Sequence, residues 1–384
     1  MNISPVFFIV RSGVVHYTPY ILYIDSTTQM LSTRKTRRHF MAKPSCNLRE
    51  NIPLAPLTTM GLGGPARYLA ECTSLDEMRA CLTWAAAEGL SVQVLGGGSN
   101  VLFADAGYSG VVLKVGLSGV VFNGATVEVG AGEDWDGFVQ CCVERGLAGV
   151  ECLSGIPGSV GATPIQNVGA YGQEVKDTIV EVRALDRQTL EEIAFAPAEC
   201  GFAYRQSRFK GADRDRFIVT SVTYRLDDSG QPQIRYPELR RHVDDERPTL
   251  ATVRDVVLAL RRSKAMVIDP QDPNSRSVGS FFLNPVIDAE AFAVLKDRYP
   301  NVPSFPDSAG VKVPAAWLVE QAGFHKGLQR GGAGISERHA LALVNRGGTT
   351  REVLALAGEI RDAVEQTFGI RLEREPVLVE EGRG

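Results

Sequence analysis

The chain has 384 residues, of which 44% are hydrophobic and 22% are charged, the balance of a soluble globular protein. Because one hydrophobic core stops growing at about 250–300 residues, this length predicts two or three domains. The net charge of −4, from 41 basic and 45 acidic residues, argues against a nucleic-acid partner, and the lack of an apolar run near ~20 residues argues against a membrane span.

The first forty residues differ in character from the rest, with five basic residues and one acid. The apolar run at 5–10 is short and follows no basic cluster, so a secretory signal is a poor interpretation. A basic tail that touches membrane or RNA is one hypothesis. The favoured one is a start codon assigned too early, with translation from Met41. We therefore predict that residues 1–45 are a disordered or wrongly assigned extension.

The first half has the pattern of a mixed α and β domain. Ser74 and Glu77 form a capping-box pattern, which predicts a helix to about residue 88, and Gly89 ends it. A second helix is predicted over 134–145. Short apolar or alternating runs predict strands at 91–95, 111–115, 126–129, 179–185 and 217–225.

The second half changes character, and we place a domain boundary near residue 250. A further capping box, Thr349 with Glu352, begins the last predicted helix. Helices are predicted at 252–263, 289–298, 315–322 and 349–368, and strands at 280–283, 340–344 and 377–379. The predicted domains are therefore residues 46–250, split into two near residue 117, and residues 251–384.

The cysteines and histidines indicate neither disulfides nor a metal site. The seven cysteines are odd in number and include no C-x-x-C pair, which predicts reduced, mostly buried thiols of a cytoplasmic protein. The five histidines show no ligand spacing, so no metal is predicted.

Glycine is over-represented, with 39 residues, about 10% of the chain against about 7% on average. A predicted strand runs directly into the first glycine-rich loop, residues 96–100, and a longer one spans 155–172. Consecutive backbone N–H groups on such turns can cradle a phosphate, although one such loop alone could be an ordinary turn. Neither loop has the full Rossmann fingerprint or a P-loop ending. Two such loops together favour a dinucleotide ligand that is bound by a fold with neither of these two motifs.

The two loops together, Gly-Gly-Gly-Ser-Asn and Gly-Ile-Pro-Gly-Ser-Val-Gly-Ala-Thr-Pro-Ile-Gln-Asn-Val-Gly-Ala-Tyr-Gly, resemble the UDP-N-acetylenolpyruvoylglucosamine reductase (MurB) family. The resemblance runs from about residue 54 to 379. It implies an α+β fold: an FAD-binding domain of the vanillyl-alcohol-oxidase (PCMH) type with two α+β subdomains, and a C-terminal α+β substrate-binding domain whose last strand returns toward the active site. Related enzymes of this type attach FAD through a histidine. No histidine lies between His39 and His242, which predicts non-covalent FAD.

The resemblance implies that FAD contacts Thr59 and both glycine-rich loops. The implied loop residues are Gly96, Gly97, Gly98, Ser99, Asn100, Gly155, Ile156, Pro157, Gly158, Ser159, Gly161, Ala162, Gln166, Asn167, Gly169, Ala170, Tyr171 and Gly172.

The resemblance also implies three catalytic residues. Hydride added to the methylene carbon of an enolpyruvyl group leaves negative charge on the neighbouring carbon and its carboxylate, which then needs a proton. Arg205, in Phe-Ala-Tyr-Arg-Gln-Ser, matches the charge-stabilising arginine, Ser280 the proton donor, and Glu375 a carboxylate opposite the arginine. Judged from residue type alone, they would be a surface ion pair, an ordinary serine and a solvated glutamate.

Further residues match family positions near the substrate, a UDP-sugar. Tyr236 resembles the tyrosine of the type in which a tyrosine loop closes over the nucleotide, which would exclude water. The other implied substrate-binding residues are Tyr204, Arg261, Lys264, Asn284 and Lys326. There is no separate fingerprint for NADPH, the hydride donor that the family implies. In the family NADPH and substrate use one site in turn. A monomer is predicted.

Two rival interpretations remain at this level. One is a flavin oxidase of the same fold that acts on a sugar or alcohol with oxygen as acceptor; it would not need Arg205, Ser280 and Glu375 together. The other is a nucleotide-binding or regulatory protein without catalysis, which predicts substitution at one of those three positions, and none is substituted.

Overall fold

The computed structural model describes residue 44, residues 46–244 and residues 246–380. The prediction of an N-terminal extension over 1–45 therefore falls almost wholly outside the described residues. No helix in the described part is both long and apolar enough to cross a membrane.

The described chain contains seven α-helices and nineteen short strands. The helices are α1 Leu75–Ala87, α2 Trp135–Glu144, α3 Pro237–His242, α4 Leu250–Ser263, α5 Ala289–Arg298, α6 Ala315–Gln321 and α7 Thr350–Phe368. The strands are β1 Asn47–Pro53, β2 Pro65–Cys72, β3 Val92–Leu95, β4 Val101–Phe103, β5 Tyr108–Val115, β6 Val120–Asn123, β7 Thr126–Gly130, β8 Gly169–Ala170, β9 Gln173–Glu174, β10 Ile179–Asp186, β11 Glu192–Phe195, β12 Phe217–Arg225, β13 Val286–Ile287, β14 Phe305–Asp307, β15 Gly310–Lys312, β16 Gln329–Arg330, β17 Ala333–Ile335, β18 Leu343–Asn345 and β19 Val377–Val379.

Two main sheets build the first half. The first has the order β1-β2-β5-β3, with β1 antiparallel to β2 and the other neighbours parallel. The second is antiparallel throughout, with the order β11-β10-β12-β7-β6. One apolar cluster joins the two, since it contains Leu113 of β5, Met78 of α1, Val139 of α2 and Val222 of β12, all fully buried. This mixed arrangement confirms the predicted α+β class.

The second half has its own apolar cluster, which also takes residues from the first half. Along α7, Val353, Leu356, Ile360 and Val364 are buried at spacings of three and four, as an amphipathic helix requires. Met60 and Leu102 belong to this cluster as well. The last strand, β19, pairs in parallel with β4, and the Val377 amide donates to the Asn100 carbonyl at 3.0 Å, so this strand begins beside the first glycine-rich loop. The division at residue 250 stays a prediction.

Most predicted elements are confirmed to within a few residues, because their signals are local. Thr349 and Glu352 form the predicted capping box of α7, with both reciprocal bonds present. The box predicted for α1 is only half right. Ser74 accepts the bond from the Glu77 amide, but the Glu77 carboxylate accepts from the Thr73 amide at 2.6 Å, one residue earlier than expected.

Two strand predictions need correction. The 280–283 segment forms no strand, because its backbone hydrogen bonds go to two different segments. The Phe281 amide donates to the Leu341 carbonyl, and the Phe281 carbonyl accepts from the Glu375 amide. In place of a ladder, this segment forms one isolated β-bridge, between Phe282 and Arg374. The strand predicted at 340–344 begins later, at Leu343, since the residues before it form a turn.

Candidate active site

One large cavity, of about 1910 Å³, brings the predicted site together. All three predicted catalytic residues line it, as do the predicted FAD residues except Gly155, Asn167 and Gly172. Of the predicted substrate residues, Tyr236, Arg261 and Lys264 line it, while Tyr204, Asn284 and Lys326 do not. Because a drug-sized ligand occupies about 300–1,000 Å³, this space suits two sizeable ligands side by side.

The two glycine-rich loops pack directly against each other at one side of the cavity. A Cβ on Gly97 would lie 2.6 Å from Gly158 Cα, and a Cβ on Gly96 would lie 2.6 Å from Ser159 Oγ. Real Cβ atoms do not approach backbone this closely. Part of the glycine excess is therefore explained by contact between loops as well as by room for a ligand.

The first loop is also held from behind by the segment before β2. Gly98 has φ +69°, and a Cβ there would overlap the Leu57 carbonyl oxygen, so glycine is required on both counts. Its carbonyl accepts from the Thr59 amide at 3.1 Å. The Thr59 hydroxyl donates to the Ser277 carbonyl at 2.7 Å, so this side chain joins the loop to the C-terminal half.

The second loop depends on residues in unusual backbone conformations. Asn167 and Tyr171 have φ of 46° and 47°. The Asn167 side chain is fully buried and donates hydrogen bonds to Glu174 at 2.9 Å and to the Ala203 carbonyl at 3.0 Å. Asn167 therefore stabilises the conformation of the loop and does not line the cavity.

A charged cluster lies where the second loop meets the C-terminal segment. Arg205 Nε is 3.3 Å from Glu375 Oε1, and its Nη2 donates to the Gly169 carbonyl at 2.6 Å. Gln166 links the cluster: its Nε2 donates to Glu375 at 3.4 Å, and its Oε1 accepts from Asn100 at 2.9 Å and from Lys210 at 3.4 Å. Side-chain exposures of 21% for Arg205 and 14% for Glu375 exclude an ordinary surface ion pair.

The cluster holds its charges away from water. Burial raises the pKa of Glu375, and the charges of Arg205 and Lys210 oppose that rise. Burial lowers the pKa of Lys210, against the attraction of Glu375. Arg205 also has φ +52°, a conformation that costs a non-glycine residue about 1–3 kcal/mol and is typical of functional sites.

Ser280 lies half-buried on the cavity wall. Within the described chain its hydroxyl makes no hydrogen bond to another protein group, in contrast to Ser275 and Ser277 nearby. The next residue, Phe281, accepts through its carbonyl from the Glu375 amide at 2.9 Å. This contact places the backbones of the serine segment and the glutamate segment side by side.

A second group of cations and aromatic rings lines another part of the cavity. Burial lowers the pKa of the Arg261 guanidinium; its Nη2 donates to the Met266 carbonyl at 2.7 Å, but its buried Nε has no hydrogen-bond partner among the described residues. Lys264 makes two 2.9 Å contacts to the Glu238 carboxylate. The Tyr171 and Tyr236 rings meet edge to face, with centroids 5.6 Å apart. An unsatisfied buried donor beside a lysine indicates an anionic ligand group.

The remaining predicted substrate residues lie apart from the cavity wall. Tyr204 and Asn284 bond to each other at 3.3 Å, and Asn284 Oδ1 also accepts from the Ala315 amide at 2.9 Å. Lys312 lies over the Tyr204 ring at 4.0 Å. Lys326 is exposed.

Among the residues of the cavity wall that sequence reasoning missed are Lys210 and His339. His339 Nδ1 accepts from the Leu341 amide at 3.0 Å, which leaves the ring proton on Nε2. Burial lowers the pKa of His339 to about 4, and the charges of Lys264 and Lys326 act in the same direction. Neither residue belongs to a motif, so only their position reveals them.

An ion pair behind the second loop holds its first glycine in place. Arg254 of α4 makes bonds of 2.6 and 2.9 Å to Asp136 of α2, and Asp136 accepts from the Gly155 amide at 2.6 Å.

Replacing Arg254 by methionine (Arg254→Met) is expected to lower the free energy of unfolding by about 2 kcal/mol. This is less than for a fully buried pair, because Asp136 is 32% exposed. Urea denaturation measures this change in the free energy of unfolding. The control is Arg361→Met, which removes an exposed ion pair. Equal stability of both variants would contradict this role.

Comparison with known proteins shows which family the chain belongs to. Residues 270–379 match the family model described as the C-terminal domain of UDP-N-acetylenolpyruvoylglucosamine reductase, and residues 66–189 match an FAD binding domain. The chain is 50% identical over 347 residues to the protein of that name from Thermobifida fusca (86% of this chain, 97% of the relative). It is 45% identical over 366 residues to that of Streptomyces coelicolor (90% and 95%). The crystal structure of the enzyme from Thermus caldophilus is similar with a TM-score of 0.59 and 26% identity, over 87% of this chain and 98% of that one.

Proposed function

The chain belongs to the UDP-N-acetylenolpyruvoylglucosamine reductase family, and from this premise we propose that it reduces UDP-N-acetylglucosamine enolpyruvate to UDP-N-acetylmuramate, with NADPH as donor and non-covalently bound FAD as carrier. It is an oxidoreductase of peptidoglycan precursor synthesis. The observation that carries the proposal is the convergence of Arg205, Ser280 and Glu375 on the cavity that both glycine-rich loops line. A cytoplasmic location and a monomeric state stay predictions.

The residues of the cavity fit FAD. Both loops line the cavity largely with residues that have no side chain or a small one, which suits a pyrophosphate, and the cavity leaves room beside it for a sugar nucleotide. When bound, FAD would take a hydride from NADPH and deliver it to the enolpyruvyl methylene carbon. The rest of the reaction falls to the chain's own side chains.

We assign Arg205 to the negative charge that develops on the substrate. Its guanidinium is held on two sides, by the Gly169 carbonyl and by Glu375, and its remaining N–H groups can meet a carboxylate. A preorganised cation away from water stabilises developing charge strongly, because it does not have to reorient. Glu375 holds the arginine in place and keeps the local charge balanced.

We assign Ser280 to the proton that completes the reduction. A serine hydroxyl is a poor acid, so its donation depends on its surroundings. Since this hydroxyl has no protein partner in the described chain, it can turn toward a ligand in the cavity, and the adjacent Glu375 segment supplies the polar neighbours.

We place the substrate diphosphate against Arg261 and Lys264, with Tyr236 at the rim. The unsatisfied Nε of Arg261 supports this placement, and the neutral His339 can add an Nε2 donor. Tyr236 is 38% exposed, which suits a side chain that covers a ligand once it has bound.

A steady-state assay tests the proposed function. Purified full-length protein should carry FAD absorbance and oxidise NADPH only when UDP-N-acetylglucosamine enolpyruvate is present. Protein without FAD absorbance, or NADPH oxidation that ignores the enolpyruvyl substrate, would overturn the proposal. Oxygen consumption with a sugar or alcohol and no NADPH would support the oxidase alternative, which is weaker because the C-terminal half matches the reductase.

The pH dependence of the second half-reaction tests the charged cluster. Glu375 is needed as a carboxylate, so the rate should fall as the pH drops through its raised pKa. Lys210 opposes that rise, so Lys210→Met should raise the pKa further and move the acidic limb to higher pH by up to about one unit. Single-turnover flavin reoxidation across pH measures it. Lys210→Arg keeps the charge and should leave the limb nearly in place; an unmoved limb in Lys210→Met would exclude this electrostatic role.

A further inference from the structure

Three buried cysteines converge at a place where none of them lines the proposed active-site cavity. The sulfur atoms of Cys46, Cys72 and Cys81 all lie within 4.8 Å of one another. Cys46 is 6% exposed and the other two are fully buried. The other four described cysteines are not part of this thiol cluster.

The three thiols come from three separate elements. Cys46 precedes β1, Cys72 ends β2, and the two residues flank the pair formed by Asn47 and Glu71 in the antiparallel ladder. Cys81 lies in the middle of α1, which packs on this sheet. Because the ligands are 26 and 9 residues apart, their spacing has no C-x-x-C signature, which is why the sequence predicted no metal.

The distances fit a soft cation. An ion bonded to three sulfurs at about 2.3 Å in one plane holds them about 4.0 Å apart, so the observed separations close with side-chain adjustment alone. Thiolates prefer Zn²⁺ and similar soft cations.

The cluster also has a nearby oxygen donor. Glu77 is partly exposed and lies one helical turn before Cys81 on α1. One of its carboxylate oxygens accepts from the Thr73 amide at 2.6 Å and from the Thr73 hydroxyl at 3.0 Å. A fourth ligand to the ion could come from this carboxylate or from water.

We propose that Cys46, Cys72 and Cys81 form a binding site for one Zn²⁺ ion, which ties the start of β1, the end of β2 and α1 together. The site is separate from the reductase cavity, so its role is to stabilise the first sheet. Zinc binding should therefore raise the melting temperature of the reduced protein while the turnover rate stays unchanged.

Titration of the reduced, full-length, FAD-loaded protein with Cd²⁺, a spectroscopic substitute for Zn²⁺, tests this directly. One equivalent should produce sulfur-to-metal charge-transfer absorption, displaced by Zn²⁺ in a competition assay, with one ion per chain in native mass spectrometry. Cys46→Ser should weaken binding at least tenfold, and the matched control Cys200→Ser, at a buried cysteine outside the cluster, should bind as the wild type does.

A second test uses the wild-type protein and does not depend on the folding of a variant. Buried thiols react only when the structure opens locally, so in the wild type one equivalent of Zn²⁺ should slow the reaction of three thiols with a thiol reagent, compared with the metal-free protein. Absence of charge-transfer absorption at one equivalent, unchanged affinity in Cys46→Ser, or equal thiol reactivity with and without Zn²⁺ would each overturn the proposal. Formation of a disulfide among these cysteines in air, without metal binding, would overturn it too.

Discussion

Ser280→Ala is expected to leave reduction of the flavin by NADPH nearly intact and to slow the second half-reaction by about 10²–10⁴-fold, the usual contribution of a positioned proton donor. The reason is that the hydroxyl contacts no other protein group in the described chain, so its removal disturbs no protein hydrogen bond. Anaerobic stopped-flow measurements separate the two steps: the first follows loss of flavin absorbance with NADPH, and the second its return with the enolpyruvyl substrate.

Ser304→Ala is the matched control, because Ser304 is an exposed serine in the same half of the chain. It should retain both half-reactions at wild-type rates. Equal loss of both half-reactions in Ser280→Ala would contradict the donor role and point to a disturbed cavity instead.

Gly97→Ala should cost about 1–3 kcal/mol of folding free energy or more, as overpacking does, and should weaken FAD binding. The backbone of Gly97 is compatible with alanine, so the penalty arises from contact alone: the new Cβ would lie 2.6, 2.8 and 3.0 Å from three backbone atoms of Gly158 and Ser159. Backbone atoms cannot move aside as a flexible side chain can. The two loops must therefore separate, and with them the N–H groups that would face the pyrophosphate.

Gly358→Ala provides the control. Gly358 lies inside α7, and a Cβ there would meet nothing within 4 Å, so alanine should stabilise the helix by about 0.5–1 kcal/mol. The melting temperatures of the two variants should thus move in opposite directions, and FAD affinity should fall in Gly97→Ala alone. A Gly97→Ala protein with wild-type stability and flavin content would show that the loops do not pack as described.

Elements whose signals lie within a short stretch of sequence can be predicted from that stretch, whereas elements that depend on partners far along the chain cannot. The bounds of α1, α2 and α7 followed from caps and apolar spacing, since helix hydrogen bonds join residues four apart and their signals lie within the helix. The apolar 280–283 segment has the pattern of a strand but does not form one, because the backbone of Phe281 bonds to two different segments, at Leu341 and at Glu375.

The same limit applies to the site. The types of residue in the glycine-rich loops, and the presence of Arg205, Ser280 and Glu375, are visible in the sequence. The sequence does not show that Gln166 joins Asn100, Lys210 and Glu375, partners up to 209 residues away. Such partners depend on the path of the whole chain.

By itself, then, the sequence determined the fold class, the family resemblance and most helix and strand positions, and it supplied the candidate catalytic side chains, since each of these is encoded in short stretches. Only the tertiary structure decided that the glycines of the two loops must face each other, that burial raises the pKa of Glu375, and that three distant cysteines meet. Burial and contact are properties of the packed chain. They arise when segments far apart in sequence exclude water from the same space.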